Sequence, residues 1–216
     1  MFEDRVHAGR LLAQRLEDLK GAEDVVVLGV PRGGVVVAAE IARHLGAPLD
    51  VYITRKLGAP GNPELAIGAV AEDGTLVLDQ ESIAMLRVSE AYLEEERRRQ
   101  QEEIRRRAAR YRRGRPPIPL EDKRVVLVDD GVATGHTMEA AVRSLRQRAI
   151  RELILAIPVG PPSTIARLRR LADRVEVLVE PDMFWAVGMF YRDFHQVSDA
   201  EVEALLASVH PPHEAA

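Results

Sequence analysis

Short runs of apolar residues recur along the chain, and several are followed by a segment whose apolar positions have the spacing of a helix face. The clearest runs are residues 25–30, 49–54, 125–128, 152–158 and 175–179. The runs at 25–30 and 125–128 are uninterrupted, whereas 49–54 includes Asp50 and 175–179 includes Glu176. Predominantly apolar runs of this length are typical of strands buried on both faces of a parallel sheet. The alternation of strand and helix predicts an α/β fold: a doubly wound, mostly parallel twisted sheet with helices on both faces.

Apolar periodicity and end-capping residues mark the helices. Residues 3–20 have an amphipathic pattern, and Gly46 is suited to end a helix that runs from Val35 to Leu45. Ser163 is a candidate cap for a helix over 164–172. The last predicted helix begins at a capping box, Ser198 to Glu201, and continues to about Val209.

The order of these elements predicts a single domain over residues 1–216. We expect its core at about 21–180, and a small hood formed by the N-terminal helix and about 180–210. Within the core, 66–71 and 75–78 are predicted to pair as a hairpin.

A strongly charged segment at about 89–115 interrupts this pattern. Glutamates four residues before arginines, as in Glu94/Arg98 and Glu103/Arg107, favour a helix, but too few apolar residues are present to bury a full face. The segment ends in an arginine run over 105–115. We predict a solvated helical insert with internal ion pairs rather than a nucleic-acid site, since the whole chain has a net charge of −4.

The remaining composition narrows the class of protein. The chain has no cysteine, so neither disulfides nor thiolate chemistry can contribute, and it has no apolar run long enough to span a membrane. We therefore expect a soluble, cytoplasmic protein without membrane partners.

Two acids and a polar loop follow the apolar run at 125–128. Asp129 and Asp130 end the predicted strand, and the loop Ala133, Thr134, Gly135, His136 and Thr137 leads into a helix. Backbone N–H groups, hydroxyls and a helix N-terminus form a cradle for an anion, whereas carboxylates accept hydrogen bonds from vicinal hydroxyls. A ribose 5-phosphate carries both kinds of group, so this stretch predicts a site for such a ligand.

Two further loops combine glycine with cations. Pro31, Arg32, Gly33 and Gly34 follow the run at 25–30, and Arg32 is suited to bind phosphate oxygens. The segment from Arg55 to Glu64 contains Arg55, Lys56, two glycines and two prolines, and we predict a mobile loop there. Its one carboxylate, Glu64, is either solvated or a proton-transfer group.

The stretch VVLVDDGVATGHT resembles the 5-phosphoribosyl-1-pyrophosphate (PRPP) motif of type I phosphoribosyltransferases. The resemblance implies that Asp129 and Asp130 hold the ribose hydroxyls, that residues 133–137 bind the 5′-phosphate, and that residues 31–34 bind pyrophosphate around a cis Pro31–Arg32 bond. It also implies that Arg55 and Lys56 lie at the base of a catalytic loop. An enzyme of this family would act in nucleotide metabolism or salvage as a homodimer and use Mg²⁺, with Asp129 and Asp130 as candidate ligands.

The acceptor is expected to bind in the hood. Residues 180–184 resemble the hood of hypoxanthine-guanine enzymes, so Phe184 and Trp185 are candidate base-binding residues, and Asp193 a further candidate metal ligand. Enzymes for 6-oxopurines carry an acid where this chain has Ala133, which argues against hypoxanthine or guanine. The predicted activity is therefore transfer of ribose 5-phosphate to a nitrogen acceptor, with a nucleobase favoured. The alternative is a PRPP-binding regulator with little or no turnover.

Overall fold

The computed structural model describes residues 1–209, and its centre is a five-stranded parallel sheet. The strands in this sheet are β1 (Val25–Gly29), β2 (Leu49–Val51), β6 (Arg124–Val128), β7 (Glu152–Val159) and β8 (Arg174–Val179), in the order β2-β1-β6-β7-β8. Every neighbouring pair is parallel. The predicted α/β fold is confirmed.

Helices cover both faces of the sheet. The helices are α1 (Arg5–Arg15), α2 (Gly33–Leu45), α3 (Gln80–Met85), α4 (Glu90–Arg112), α5 (His136–Leu145), α6 (Pro162–Arg169) and α7 (Asp199–Val209). Val25 and Val27 pack into a core with α1 and α2, whereas Val26 and Leu28 pack into a second core with α5 and α6. Successive side chains of a strand point to opposite faces, so an uninterrupted apolar run supplies both cores.

Several predicted element ends differ from the observed ones. The N-terminal helix is α1 followed by a short 3-10 turn at Glu17–Leu19, and α2 begins at Gly33 instead of Val35. The cap of α6 is Pro161 and not Ser163. The capping box before α7 is confirmed: the Ser198 hydroxyl accepts from the Glu201 N–H at 3.1 Å, and the Glu201 carboxylate accepts from the Ser198 N–H at 2.7 Å.

The prediction that Arg55 to Glu64 is a loop rather than a packed element is wrong, because this segment is a β-hairpin; its mobility stays a prediction. Strands β3 (Thr54–Ala59), β4 (Asn62–Ala71) and β5 (Leu76–Leu78) form a second, antiparallel sheet, which also contains the predicted hairpin of β4 and β5. Pro60 and Gly61 make the turn between β3 and β4, with Gly61 at φ 73°. The prolines and glycines that suggested mobility therefore shape a turn and a bulge.

Helix α4 is less solvated than its charge pattern predicted. Glu96, Gln100, Ile104, Tyr111 and Arg112 are buried, and the helix packs on β3 and α7. Most of its internal ion pairs join residues three apart rather than the predicted four, since Glu94 pairs with Arg97, Glu95 with Arg98 and Glu96 with Arg99. Glu103/Arg107 keeps the predicted spacing.

The arginine run at the end of α4 is paired with acids from other elements. Arg112 is buried and donates to Asp50 at 3.1 Å and to Glu72 at 2.5 Å. Arg110 and Arg113 both pair with Glu203 of α7. These contacts join the insert to the core and to α7. The Arg112 pairs are buried, so removing one of their acids would leave an uncompensated buried charge.

We expect this arginine run to bind RNA or DNA no more tightly than the rest of the surface does, because acids neutralise much of its charge. Fluorescence anisotropy with labelled RNA and DNA at physiological salt measures this directly. Tight binding that disappears when Arg105, Arg106 and Arg107 are replaced with Gln would contradict the expectation and favour a nucleic-acid-binding regulator.

No helix within residues 1–209 is both long enough and apolar enough to cross a bilayer. His210 and His213, for which we predict no metal role, lie outside the described residues.

Candidate active site

One cavity of about 1130 Å³ collects half of the predicted site residues, although of the loop at 133–137 only Thr137 is among its lining residues. It lies where β1 and β6 end, the edge at which parallel α/β sheets bind ligands. Its walls come from the loop after β1, the hairpin β3–β4, helix α4, the end of β6, Arg5 of α1 and residues 194–197 of the hood. The predicted residues that line it are Pro31, Arg32, Gly33, Arg55, Lys56, Asp129, Asp130 and Thr137.

The acid pair lies at the end of β6. The Asp129 carboxylate accepts a hydrogen bond from the backbone N–H of Asp130 at 2.8 Å. Burial raises the pKa of the Asp129 carboxyl well above its usual range, and the negative charge of Asp130 raises it further. Tyr191 donates its hydroxyl to the Asp130 carbonyl at 2.6 Å and so fixes the backbone of the pair from the hood.

Arg5 is a site residue that the sequence did not indicate. Its side chain is buried, and its Nε donates to Asp130 Oδ2 at 2.8 Å. Nη1 donates to the His195 carbonyl at 2.8 Å, and the guanidinium lies 3.9 Å from the centroid of the Phe194 ring. Arg5 therefore links the acid pair to the hood. It is 125 residues from Asp130 in the chain, and a single arginine in an amphipathic helix carries no signal of such a contact.

The loop after β1 approaches the acid pair closely. Its Pro31–Arg32 peptide bond is cis, as predicted. A Cβ at Gly33 would lie 2.0 Å from Asp130 Oδ2, and one at Gly34 would lie 2.8 Å from the Val128 carbonyl. Only glycine allows this approach. The Arg32 guanidinium is partly exposed and lies 3.9 Å from Asp199 of α7.

The loop at 133–137 is held by α6 on its outer side. Thr164 donates to the Ala133 carbonyl at 2.8 Å, and Arg167 donates to the Thr134 carbonyl. Because a trans peptide points its C=O and N–H in opposite directions, the N–H groups of Thr134 and Gly135 point away from α6. Helix α5 begins at His136, which adds a helix N-terminus to the loop. The imidazole Nδ1 of His136 is buried and has no hydrogen-bond partner within residues 1–209.

The two predicted catalytic cations lie side by side on β3 but in different surroundings. Arg55 is half-buried, and its Nε donates to Gln100 of α4 at 2.9 Å. Burial lowers the pKa of Arg55, and the positive charge of Arg107 lowers it further, although a guanidinium stays protonated at physiological pH. Lys56 is exposed to the cavity, which Glu64 also lines.

The hood places its aromatic residues differently from the prediction. Phe184 stacks on Phe190, with ring centroids 5.6 Å apart, and Trp185 is 77% exposed. Neither residue is among those that line the cavity, whereas Phe194 is. A base-binding role for Phe184 and Trp185 stays a prediction. Aromatic content alone does not distinguish base binding from packing, because a small subdomain also needs aromatic residues for its own core.

The donor set for a metal is small. Within residues 1–209 no group of three or more His, Cys, Asp or Glu side chains is arranged to hold a metal ion. Asp193 is not among the residues lining the cavity, and it accepts instead from the His195 N–H at 3.1 Å. Asp129 and Asp130 line the cavity and supply hard oxygen donors. Such a pair suits Mg²⁺, which usually binds few protein ligands and takes the rest from water and substrate phosphates.

Comparison with known proteins agrees with this geometry. The chain is 49% identical over 210 residues to a Mycobacterium tuberculosis protein named "Putative phosphoribosyl transferase", covering 97% of this chain and 47% of that protein. The chain thus spans about half the length of this relative. It is also 29% identical over 136 residues to the "Bifunctional protein PyrR" of Clostridium kluyveri, covering 63% of this chain and 56% of that protein.

The fold has a close counterpart among solved structures. A crystal structure of a Thermus thermophilus protein superposes with a TM-score of 0.79 and 51% identity, covering 96% of this chain and 98% of that one. The family model for the phosphoribosyl transferase domain matches residues 4–195. This match includes the acid pair, all three loops and Arg5, so the chain belongs to the phosphoribosyl transferase domain family.

Proposed function

We propose that this protein transfers the ribosyl 5-phosphate group of PRPP to a nitrogen acceptor. The bond between C1 of the ribose and the pyrophosphate oxygen breaks, and a bond between C1 and the acceptor nitrogen forms. Pyrophosphate leaves with the bonding electrons, and the acceptor nitrogen gives up a proton. The observation that supports the proposal is the convergence of the acid pair, the loop at Arg32 and the cations of β3 on one cavity.

Each group then has a role that follows from its chemistry. Asp129 and Asp130 accept hydrogen bonds from the ribose hydroxyls, while the N–H groups of residues 133–137 hold the 5′-phosphate. Arg32, Arg55 and Lys56 stabilise the charge that develops on pyrophosphate as C1 becomes cation-like. Mg²⁺, held by the acid pair and substrate oxygens, would supply further charge stabilisation on the leaving group.

The nature of the acceptor is part of the proposal. Phe194 and the polar face of α4 line the same cavity as the acid pair, and we assign the second small molecule to that part of it. A nucleobase is favoured, and Ala133 argues against a 6-oxopurine, because no acid stands at that place to handle the ring proton. A panel of bases and amines, screened for PRPP-dependent pyrophosphate release with Mg²⁺, identifies the acceptor.

We expect Asp130→Asn to weaken PRPP binding about tenfold or more. The substitution removes a charged acceptor for a ribose hydroxyl, and hydrogen bonds to charged groups contribute about 1.5–3 kcal/mol. Isothermal titration calorimetry with PRPP and Mg²⁺ measures the change. Asp122→Asn is the control, since Asp122 is exposed and its φ of 59° suits asparagine. Equal PRPP affinity of wild type and Asp130→Asn would contradict the assignment of the acid pair.

A further inference from the structure

Two polar side chains of α4 are buried against the hairpin that carries Arg55. Gln100 is 9% exposed and Glu96 is 4% exposed. They are four residues apart and therefore lie on the same face of the helix. Polar groups buried to this extent are almost always hydrogen-bonded, so their partners indicate what they hold in place.

The partners form a continuous series of hydrogen bonds from α4 to β3. Gln100 Oε1 accepts from Arg55 Nε at 2.9 Å, and Gln100 Nε2 donates to Glu96 Oε1 at 2.9 Å. Glu96 Oε1 also accepts from the Gly58 N–H at 3.3 Å. On the next turn of the helix, the Tyr92 hydroxyl donates to the Gly58 carbonyl at 2.7 Å. Helix α4 thus holds both the backbone of β3 and the guanidinium of Arg55.

The hydrogen-bonding chemistry of Arg55 and Glu96 determines the orientation of the Gln100 amide between them. A guanidinium can only donate hydrogen bonds and an ionised carboxylate can only accept them. Burial acts to raise the pKa of Glu96, but hydrogen bonds from Gln100, Arg99 and Gly58 outweigh burial and lower it, so the group is ionised. The amide oxygen must therefore face Arg55 and the amide nitrogen must face Glu96. Glutamine combines a donor and an acceptor in one side chain, as this position requires.

From these contacts we infer that Gln100 is a positioning residue for Arg55, and that Glu96 orients Gln100. The inference rests on the proposed function, in which Arg55 stabilises charge on the leaving pyrophosphate. Gln100 accepts the hydrogen bond from the Nε–H of Arg55 and so sets the plane of the guanidinium before substrate binds. Helix α4, packed on β3, thus presets the cation at the cavity.

Gln100→Leu tests the inference because leucine keeps most of the side-chain volume and removes both hydrogen bonds. We expect kcat for pyrophosphate release to fall about tenfold, with the KM for PRPP within about twofold of wild type, since an interaction realised mainly in the transition state is lost. Gln101→Leu is the matched control. Gln101 is the next residue of the same helix, but its amide lies by Gly74 and does not line the cavity.

A double-mutant cycle with Arg55→Ala separates positioning from a general effect on structure. If Gln100 acts through Arg55, Gln100→Leu should change kcat less than about twofold in the Arg55→Ala background. A tenfold fall in both backgrounds would overturn the inference, as would an unchanged kcat in the single variant. Gln100→Ala serves in the same cycle if the leucine variant does not fold.

A measurement without turnover distinguishes this inference from the proposed function. The Arg55 Nε–H resonance, assigned with Arg55→Lys, should exchange with solvent at least about tenfold faster in Gln100→Leu than in wild type or Gln101→Leu. A wild type that releases no pyrophosphate with any acceptor would contradict the proposed function. The exchange rate of the Arg55 Nε–H would still test whether Gln100 positions Arg55. Unchanged exchange would overturn the inference whatever the activity.

Discussion

Replacing Gly33 with alanine is expected to weaken PRPP binding by on the order of 10²-fold while the protein still folds. A Cβ at this position would lie 2.0 Å from Asp130 Oδ2 and 2.8 Å from Arg5 Nε, so the acid pair, the loop or both must move. Relieving such overlap costs about 1–3 kcal/mol. The displaced group is the carboxylate assigned to the ribose hydroxyls, and we therefore expect the loss mainly in affinity.

Calorimetry with PRPP and Mg²⁺ measures the affinity, and thermal unfolding shows whether the variant remains folded. Gly21→Ala is the control: nothing lies within 4 Å of its Cβ, but its φ of 75° strains alanine. It should lower stability by about 1 kcal/mol and leave PRPP affinity unchanged. A folded Gly33→Ala variant with wild-type affinity would contradict the binding roles assigned to Asp130 and to the loop at 31–34.

Replacing Lys56 with alanine is expected to lower turnover by on the order of 10²-fold or more, with PRPP affinity within a few-fold of wild type. Lys56 lines the cavity from β3, and within residues 1–209 no carboxylate lies in ion-pair range of its ammonium group. Its charge is therefore available to a ligand. Loss of one electrostatic donor at a reacting centre typically costs this much in kcat.

The comparison requires a verified acceptor, or failing that the slow hydrolysis of PRPP. Lys123→Ala is the control, since Lys123 does not line the cavity and its ammonium group donates to the Glu23 carbonyl at 3.4 Å. Equal turnover of wild type and Lys56→Ala would exclude Lys56 from the mechanism. A wild type that binds PRPP tightly but turns over no acceptor would favour the alternative of a PRPP-binding regulator.

Local sequence determined the parts of this protein that depend on neighbouring residues. The apolar runs predicted the strands because a strand buried on both faces leaves no polar position, and Val25 to Leu28 do divide between two cores. The acid pair and the loop at 133–137 come after the end of β6 in the chain, and the loop at 31–34 comes after the end of β1. Since the carboxyl ends of β1 and β6 are adjacent, residues at those ends had to meet.

Tertiary structure alone decided how the rest of the cavity is built. Arg55 to Glu64 has the composition of a loop, but pairing with β4 and packing on α4 make it a hairpin. The packing partner is distant in the chain, since Arg55 contacts Gln100 of α4 across 45 residues. Glu96 and Gln100 have the sequence signature of a solvated face. They are buried because β3, about forty residues earlier, supplies the hydrogen-bond partners that offset their desolvation.

Arg5 is the clearest case of a residue whose role comes only from the fold. Its two acceptors are Asp130 and the His195 carbonyl, far away in the chain and on different elements. Sequence periodicity reports which side of a helix is buried, but it does not report which charged group the fold will bring to that side. The sequence by itself thus determined the strand ends at which the candidate site is built, and the tertiary contacts decided which other side chains line the cavity and hold the acid pair in place.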